Sequence, residues 1–363
     1  MDRGVITYTA AYLIGISLAI PLHLSPLYAL LALLLLLPAS YLSKKNTIIF
    51  NVCSHLALTV CGIGICSIYE ERSNLPPDKF ISTINGYTEK IHGKIAVHFR
   101  EMVPEVEAHA TLCAISIGEK GYMGKELKQS FSAAGAMHVL ALSGLHIGIA
   151  FAMIYTLLLP ITAIRGGKKI RDIIAIAFIA GYSIMAGCPP SVIRAATMII
   201  LYRIAAGKFR KISNWDAIAT SMLITCTLNP LQILNIGFQL SYSAVAGIAL
   251  MYPTCNNAFL QLVPKWKGWK GHVWEGVHWL WGSLALSVCC QIATIPASLY
   301  HFGYSAPYFL LANLAAVPLA TWIMYILTMA LPLQGIPLLG DAATWVLKTL
   351  LELLNSAVTY IGG

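Results

Sequence analysis

Apolar runs separated by short polar breaks follow one another along nearly the whole chain, and Ala29–Pro38 and Ile173–Ala186 are two of them. A helix needs about 20 predominantly apolar residues to cross a bilayer, and on that measure the pattern predicts about eleven transmembrane helices. They fall near residues 5–20, 27–42, 47–69, 138–163, 172–187, 191–206, 215–228, 233–252, 277–300, 307–330 and 341–360. The expected fold class is an all-α polytopic integral membrane protein.

One hydrophilic region, from Glu70 to about Gly135, interrupts this pattern with eight basic and nine acidic residues. Its middle, 86–100, is expected to form one or two strands, which makes it a short external α/β or irregular segment. Its end, 125–138, is expected to form an amphipathic helix leading into the fourth span. The chain is accordingly divided into three N-terminal transmembrane helices (1–70), a shortened external segment (71–110) and a transmembrane domain (111–363).

Composition excludes several classes of protein. Of the 363 residues, 58% are hydrophobic and only 11% are charged, whereas a soluble globular chain has about 25% charged residues. Disordered, collagen-like and disulfide-scaffold proteins are excluded as well. The nine cysteines include no C-x-x-C pair, so neither a zinc site nor a disulfide framework is expected. No other metal site and no cofactor are expected.

The formal net charge of +9 is explained by membrane orientation better than by a DNA-binding patch. Half of the 24 basic residues lie in four short breaks between apolar runs. They are Lys44, Lys45, Arg165, Lys168, Lys169, Arg171, Lys208, Arg210, Lys211, Lys265, Lys267 and Lys270. The positive-inside rule assigns such breaks to the cytoplasm, which also places the N-terminus there and the region from Glu70 to Gly135 outside.

The fourth predicted span begins with a polar group formed by His138, Ser143 and His146. On a helix, Gly144 and Gly148 share one face, which predicts close helix packing, and His146 points the opposite way. Intramembrane histidines usually face a cavity or the interior of the bundle. The alternative is two structural histidines bonded to neighbouring carbonyls.

The segment Cys188-Pro-Pro-Ser191-Val-Ile-Arg194 predicts an anion site. Two prolines favour the start of a helix at Ser191, where free N–H groups and the positive end of the helix dipole attract anions. Arg194 follows one turn later, and its guanidinium can bind a phosphate with two parallel hydrogen bonds. A charged side chain inside the membrane is energetically costly, which favours a functional role. The alternative is an arginine that reaches back to the outer interface.

Polar stripes on later spans predict the wall of a hydrated passage. Asn235 and Gln239 share one helix face, Gln291 and Thr294 share another, and Asn313 lies on the tenth span. Such stripes also serve as hydrogen bonds between helices, so the passage competes with a purely structural reading.

No catalytic motif is convincing, because the chain has no H-E-x-x-H, P-loop or G-x-S-x-G sequence. Ser143 with His146 leaves an intramembrane serine hydrolase as a rival, although residues three apart on one helix rarely reach the geometry of a nucleophile and its base. We expect no enzymatic activity.

Taken together, the motifs resemble the competence domain of the ComEC family, the bacterial inner-membrane channels for transforming DNA. The matching stretches keep the family order over residues 111 to about 330. They are Gly124-Lys-Glu-Leu127, His138-Val-Leu-Ala-Leu-Ser-Gly-Leu-His146, Pro190-Ser-Val-Ile-Arg-Ala-Ala196, Asn229-Pro230 with Gly237-Phe-Gln-Leu-Ser241, Gln291-Ile-Ala-Thr-Ile-Pro296 with Tyr300-His-Phe-Gly303, and Leu311-Ala-Asn-Leu-Ala-Ala-Val-Pro318.

The resemblance implies a permease that passes one strand of incoming DNA across the bacterial cytoplasmic membrane. Ser191 and Arg194 would contact DNA phosphates, and His138, Ser143, His146, Asn235, Gln239, Gln291, Thr294 and Asn313 would line or shape the path. Segment 70–110 is too short for the family's external OB-type domain, and no H-x-H-x-D-H motif of its metallo-β-lactamase-like domain occurs. Either an external DNA-capture protein and a separate nuclease supply these functions, with a cytoplasmic DNA-pulling partner and membrane lipid as further partners, or the chain is a reduced copy with altered or lost function. A transporter of a smaller anion is the alternative.

Overall fold

The computed structural model describes residues 4–22, 25–43, 46–73, 79–140, 142–207, 212–263, 270–303, 309–336 and 338–362. Within these ranges the chain is helical and contains no strand. The helices are α1 Gly4–Leu22, α2 Pro26–Leu42, α3 Thr47–Ser73, α4 Lys79–Met102, α5 Val106–Ile117, α6 Lys125–Ala133, α7 Met137–Leu140, α8 Gly144–Leu157, α9 Gly167–Met185, α10 Pro190–Gly207, α11 Asn214–Leu228, α12 Ile236–Leu262, α13 Lys270–Phe302, α14 Phe309–Leu333 and α15 Leu339–Gly362. Short 3₁₀ segments occupy Leu159–Ala163 and Pro230–Leu234.

Ten of the eleven predicted spans each coincide with one helix. Among the described residues, four helices are long and apolar enough to cross a membrane: Gly4–Leu22, Thr47–Glu71, His272–Phe302 and Phe309–Leu333. Pro26–Leu42, Val106–Ile117 and Gly144–Leu157 are shorter apolar helices. The chain is an all-α membrane protein, and the total of eleven crossings stays a prediction.

The fourth predicted span, 138–163, is not one helix. It divides into α7, α8 and a 3₁₀ segment, and Leu142 and Ser143 between α7 and α8 are not helical. The predicted amphipathic helix before it ends at Ala133 as α6, because Gly135 has a φ of 76° and reverses the chain. Only glycine adopts this left-handed conformation without strain.

The strand prediction for 86–100 was wrong, because this segment lies within α4. Ala96, Phe99, Met102 and Val103 are buried, at spacings of three and four that match a helix face. The apolar face of α4 contributes to the core described below. Where the structure describes segment 71–110, it is therefore helical except at 103–105, between α4 and α5.

The described chain divides into two compact units, each considered by itself. Unit 1 comprises 1–83 and 200–242, and unit 2 comprises 84–199 and 243–363. In unit 1, α1 and α3 approach through glycines: a Cβ on Gly15 would collide with the Thr59 backbone, and one on Gly62 with the Tyr12 backbone. The three-part division expected from the sequence stays a prediction.

Unit 2 has a core built mainly by α4, α5, α14 and α15. Leu347, Leu351, Leu354 and Val358 lie on one face of α15 and are fully buried in it. Thr111 on α5 donates a 2.8 Å hydrogen bond to Asn355 Oδ1 on α15. Lys348 on α15 donates to the carboxylate of Glu105, the residue before α5, and thereby lowers the pKa of that carboxyl.

Several residues used for the orientation argument lie outside the described residues. They are Lys44, Lys45, Lys208, Arg210, Lys211, Lys265 and Lys267. Arg165, Lys168 and Lys169 are described, and all three are exposed at or beside the start of α9.

Candidate functional site

The break between α7 and α8 is fixed by a cap on α8. Ser143 is the residue before the helix, and its extended backbone lets its Oγ accept the N–H groups of the first turn, including that of Leu145 at 3.3 Å. In return, Nδ1 of His146 accepts the Ser143 N–H at 3.2 Å. This reciprocal pairing is a capping box in which histidine takes the place usually held by glutamate or glutamine.

The start of α10 closes the other side of the break. Ser191 Oγ donates a 2.9 Å hydrogen bond to the carbonyl oxygen of Leu142. The Val192 and Ile193 N–H groups both donate to the Pro189 carbonyl at 3.0 Å. The Ser191 hydroxyl therefore holds the break in place, and the first turn offers fewer open N–H groups to an anion than the sequence suggests.

Arg194 lies against the beginning of α8. Its side chain is buried, with 8% of the residue exposed, and a Cβ built on Gly144 would stand 3.0 Å from Arg194 Nη2 and 3.3 Å from Ala195 Cβ. The guanidinium also lies within electrostatic range of the Cys290 thiol on α13. A buried positive charge thus lies beside the break.

The two glycines of α8 have different surroundings. Gly144 faces α10 through Arg194 and Ala195, in the manner of a close helix contact. Around Gly148, no described residue comes within 4 Å of an added Cβ. The structure therefore gives Gly144, and not Gly148, a packing partner.

Ser143 and His146 are closer than residues on one continuous helix would be. Because Ser143 precedes α8, its Oγ lies 3.0 Å from His146 Nδ1, so the geometric objection to a nucleophile–base pair was wrong. His146 is only 1% exposed, and the same two atoms make the capping box. A helix cap accounts for the contact without any catalysis.

His138 and Asn313 meet beside the same break. His138 Nδ1 is 3.0 Å from the Gly135 carbonyl oxygen, to which it donates, and its ring packs on Phe309 with centroids 5.5 Å apart. Asn313 lies one turn after Phe309 on α14, and its carboxamide contacts the His138 ring. His138 is also close enough to His146 to act on it electrostatically.

Two predicted path residues, Asn235 and Gln239, belong to unit 1. Asn235 precedes α12, where its Oδ1 accepts the Gly237 N–H at 2.8 Å, and Gln239 Nε2 donates to the Ile233 carbonyl at 3.0 Å. Asn235 therefore caps the helix and does not share its polar face.

Gln291 and Thr294 lie on α13 in unit 2 and are half-buried. The Thr294 hydroxyl donates to carbonyls of its own helix, at 2.9 Å to Cys290 and 3.2 Å to Gln291. Because the hydroxyl hydrogen of Thr294 is used within its own helix, only the lone pairs of the oxygen remain available to other polar groups.

Unit 2 also contains a cavity of about 520 Å³. None of the residues at the α7–α8 break, nor Arg194 or Asn313, lines it. It is bordered by five helices, α4, α5, α8, α9 and α14, and its walls are almost entirely apolar. Met153, Phe178 and Met324 are typical of its lining, with Lys94 and His98 among the few polar members. This composition does not suit a small anion.

Sequence reasoning missed three partners of the site: the Leu142 carbonyl, Cys290 and Phe309. The Ser143-x-x-His146 spacing carried a signal for the break, because a polar residue three positions after serine is typical of a capped helix start. Cys290 and Phe309 are distant in sequence from the residues they approach, and no local pattern indicates them.

Comparison with known proteins assigns the chain to a family. The family model described as Competence protein matches residues 115–363, which include the break, Arg194 and Asn313. The chain belongs to the Competence protein family. No solved structure matches it.

Three curated relatives resemble parts of the chain. ComE operon protein 3 of Bacillus subtilis (strain 168) is 25% identical over 210 residues, which are 58% of this chain and 24% of that protein. Recombination protein 2 of Haemophilus influenzae is 23% identical over 220 residues, 59% of this chain and 27% of that protein. The uncharacterized protein YcaI of Escherichia coli (strain K12) is 27% identical over 252 residues, which are 66% of this chain and 31% of that protein. The matched residues therefore span only 24% to 31% of the length of these relatives.

Proposed function

We propose that the chain takes part in DNA uptake for transformation, as the part of the machinery that passes single-stranded DNA through the bacterial inner membrane. Membership of the Competence family and similarity to ComE operon protein 3 and Recombination protein 2 support the role in uptake. The placement of Arg194 supports the role in passage.

The buried guanidinium of Arg194 beside the α7–α8 break is the observation that carries this proposal. A translocating strand presents phosphates at every step, and a guanidinium binds phosphate with paired hydrogen bonds. Contacts to the phosphate backbone of DNA do not depend on the base sequence, which suits a passage that accepts any DNA. The Ser191 backbone N–H adds a second donor, while the Ser191 hydroxyl stays bonded to Leu142.

In this proposal the chain has no catalytic activity, the N-terminus lies in the cytoplasm, and other proteins do the remaining work. They are an external DNA-capture protein, a separate nuclease for the other strand, and a cytoplasmic partner that pulls. Capture by this chain alone is unfavourable, because its hydrophilic region, 70–135, has nearly equal numbers of acidic and basic residues.

Substitution of Arg194 tests the proposal. In the native host we expect Arg194→Ala to lower entry of labelled DNA by about tenfold or more, because a charge-assisted hydrogen bond contributes about 1.5–3 kcal/mol. DNA entry in Arg194→Lys should be intermediate, since lysine retains the positive charge but cannot form the paired hydrogen bonds of a guanidinium. Arg203→Ala, on the same helix, is the matched control and should change little.

Membrane abundance of each variant is measured alongside uptake. Normal DNA entry in Arg194→Ala at normal abundance would contradict the phosphate contact. Unchanged DNA entry after deletion of the whole gene would contradict the proposed function itself and favour the transporter of a smaller anion.

A further inference from the structure

The cavity of about 520 Å³ in unit 2 has an exposed apolar rim. Leu157, Phe178 and Leu331 line it, and they are 56%, 43% and 41% exposed. One of the bordering helices, α14, is long and apolar enough to cross a membrane. Apolar side chains on the surface of a membrane protein lie against lipid chains, which are as apolar as leucine. An occupant of the cavity can therefore enter from the lipid phase.

The polar side chains inside the cavity use their hydrogens within the protein. Tyr182 donates to the Ser116 carbonyl at 2.7 Å, and Ser116 Oγ donates to the Leu112 carbonyl at 2.6 Å. The Thr328 hydroxyl donates to the Met324 carbonyl at 3.0 Å. These walls suit water poorly, since a buried water needs two to four polar partners. An empty space would deprive the lining atoms of dispersion contacts, so the interior suits a hydrocarbon chain.

One permanently charged side chain is found among the described residues that line the cavity. Lys94 of α4 is exposed there, and no ion pair joins it to a carboxylate among the described residues. His98, one turn later, also lines the cavity, and its Nδ1 lies 3.7 Å from a carboxylate oxygen of Glu101. Glu101 itself does not line the cavity. The cavity thus combines apolar walls with a positive charge that no described carboxylate neutralises.

We propose that this cavity binds one anionic phospholipid of the membrane, with an acyl chain against α8, α9 and α14 and the phosphate at Lys94. Its volume lies within the range of about 300–1,000 Å³ that is typical of ligand sites. An acyl chain gains little hydrophobic free energy when it leaves the bilayer for an apolar cavity. The charge at Lys94 therefore selects the lipid, and it favours phosphatidylglycerol over phosphatidylcholine, whose headgroup carries a cation beside its phosphate.

Photolabelling of the full chain in phosphatidylcholine nanodiscs tests this site. The reagent is phosphatidylglycerol with a diazirine near the end of one acyl chain, and mass spectrometry of the digested protein maps the labelled positions. We expect labelling around Met153, Phe178 and Met324, which line the cavity. Unlabelled phosphatidylglycerol should suppress it, and added phosphatidylcholine should not. The exposed Leu34 and Leu35 of α2 report general lipid contact, and labelling there should resist competition.

Two substitutions separate the charge from the apolar space. Lys94→Gln should lower labelling in the cavity about fivefold, the usual effect of one basic residue on binding to anionic lipid. Lys125→Gln is the matched control, because Lys125 is exposed and does not line the cavity; it should leave labelling unchanged. Ala150→Phe fills the cavity and should abolish labelling there. Its thermal unfolding shows whether it folds, and Lys94→Gln at the exposed position tests the site in either case.

Several outcomes would overturn the lipid site. Labelling in the cavity no stronger than on α2, or equal suppression by the two lipids, would contradict a bound anionic lipid. Equal labelling of Lys94→Gln and the unchanged chain would contradict the phosphate contact. Absence of labelling in the cavity would also overturn the proposal and leave a protein segment, such as one from a second copy, as the occupant. Because no DNA is present, none of these results depends on the proposed function.

Discussion

Gly144 leaves the space in which the Arg194 guanidinium lies, since an added Cβ would stand 3.0 Å from Nη2. We expect Gly144→Ala to displace the guanidinium by a few tenths of an ångström and to lower DNA uptake several-fold. Gly148→Ala is the matched control, because no described residue lies within 4 Å of its added Cβ. Equal uptake in the two variants, at equal abundance, would show that the spacing at Gly144 is unimportant.

Ser143 lies at hydrogen-bond distance from His146 and also caps α8, and two substitutions separate these roles. Asparagine is as good a cap as serine, whereas alanine costs about 0.5–2 kcal/mol. We expect Ser143→Asn to retain DNA uptake and Ser143→Ala to reduce it with a lower unfolding temperature. A hydrolase would lose activity, and labelling by a serine-directed phosphonate, in both variants.

Helix contacts in unit 2 depend on a few buried polar pairs. Thr111→Val leaves Asn355 Oδ1 buried without the 2.8 Å bond it now accepts, so unfolding free energy should fall by about 1–3 kcal/mol. The double variant Thr111→Val/Asn355→Leu should be less destabilised than the sum of the single variants. Denaturation in detergent measures both.

Thr349→Val on α15 is the control for that series. Thr349 is exposed, and among the described residues its hydroxyl bonds only to the Trp345 carbonyl of its own helix. Its removal should change stability by no more than about 0.5 kcal/mol. Additive effects in the double variant would mean that Thr111 and Asn355 contribute independently.

The sequence predicts most elements because long apolar runs are sufficient to place a helix. It fails at 86–100 because Ile91, Ile95 and Phe99 are spaced four apart, and this spacing fits a strand period of two as well as a helix period of 3.6. It also fails at the α7–α8 break, because Leu142 is apolar and the run continues across it. The sequence places Arg194 and Asn313 on predicted helices, whereas the residues that they contact are determined by tertiary packing.

Across the whole molecule, the proposed orientation puts the basic start of α9 in the cytoplasm and the turn before α10 outside. Cys188 in that turn is exposed, so a membrane-impermeant maleimide should label it in intact spheroplasts. A cysteine at Lys168, which is also exposed, should react only after permeabilisation, in a Cys188→Ser background. The reverse pattern would invert the proposed topology.

The bond between Ser191 and the Leu142 carbonyl joins residues 49 positions apart and bears on how the protein is made. Ribosomes add about 5–20 residues per second, so α8 leaves the ribosome roughly 2–10 s before its partner on α10 exists. An unbonded carbonyl in hydrocarbon costs several kcal/mol. The α7–α8 segment should therefore stay beside the insertion machinery, in contact with water, until α10 arrives, and the two enter the lipid together.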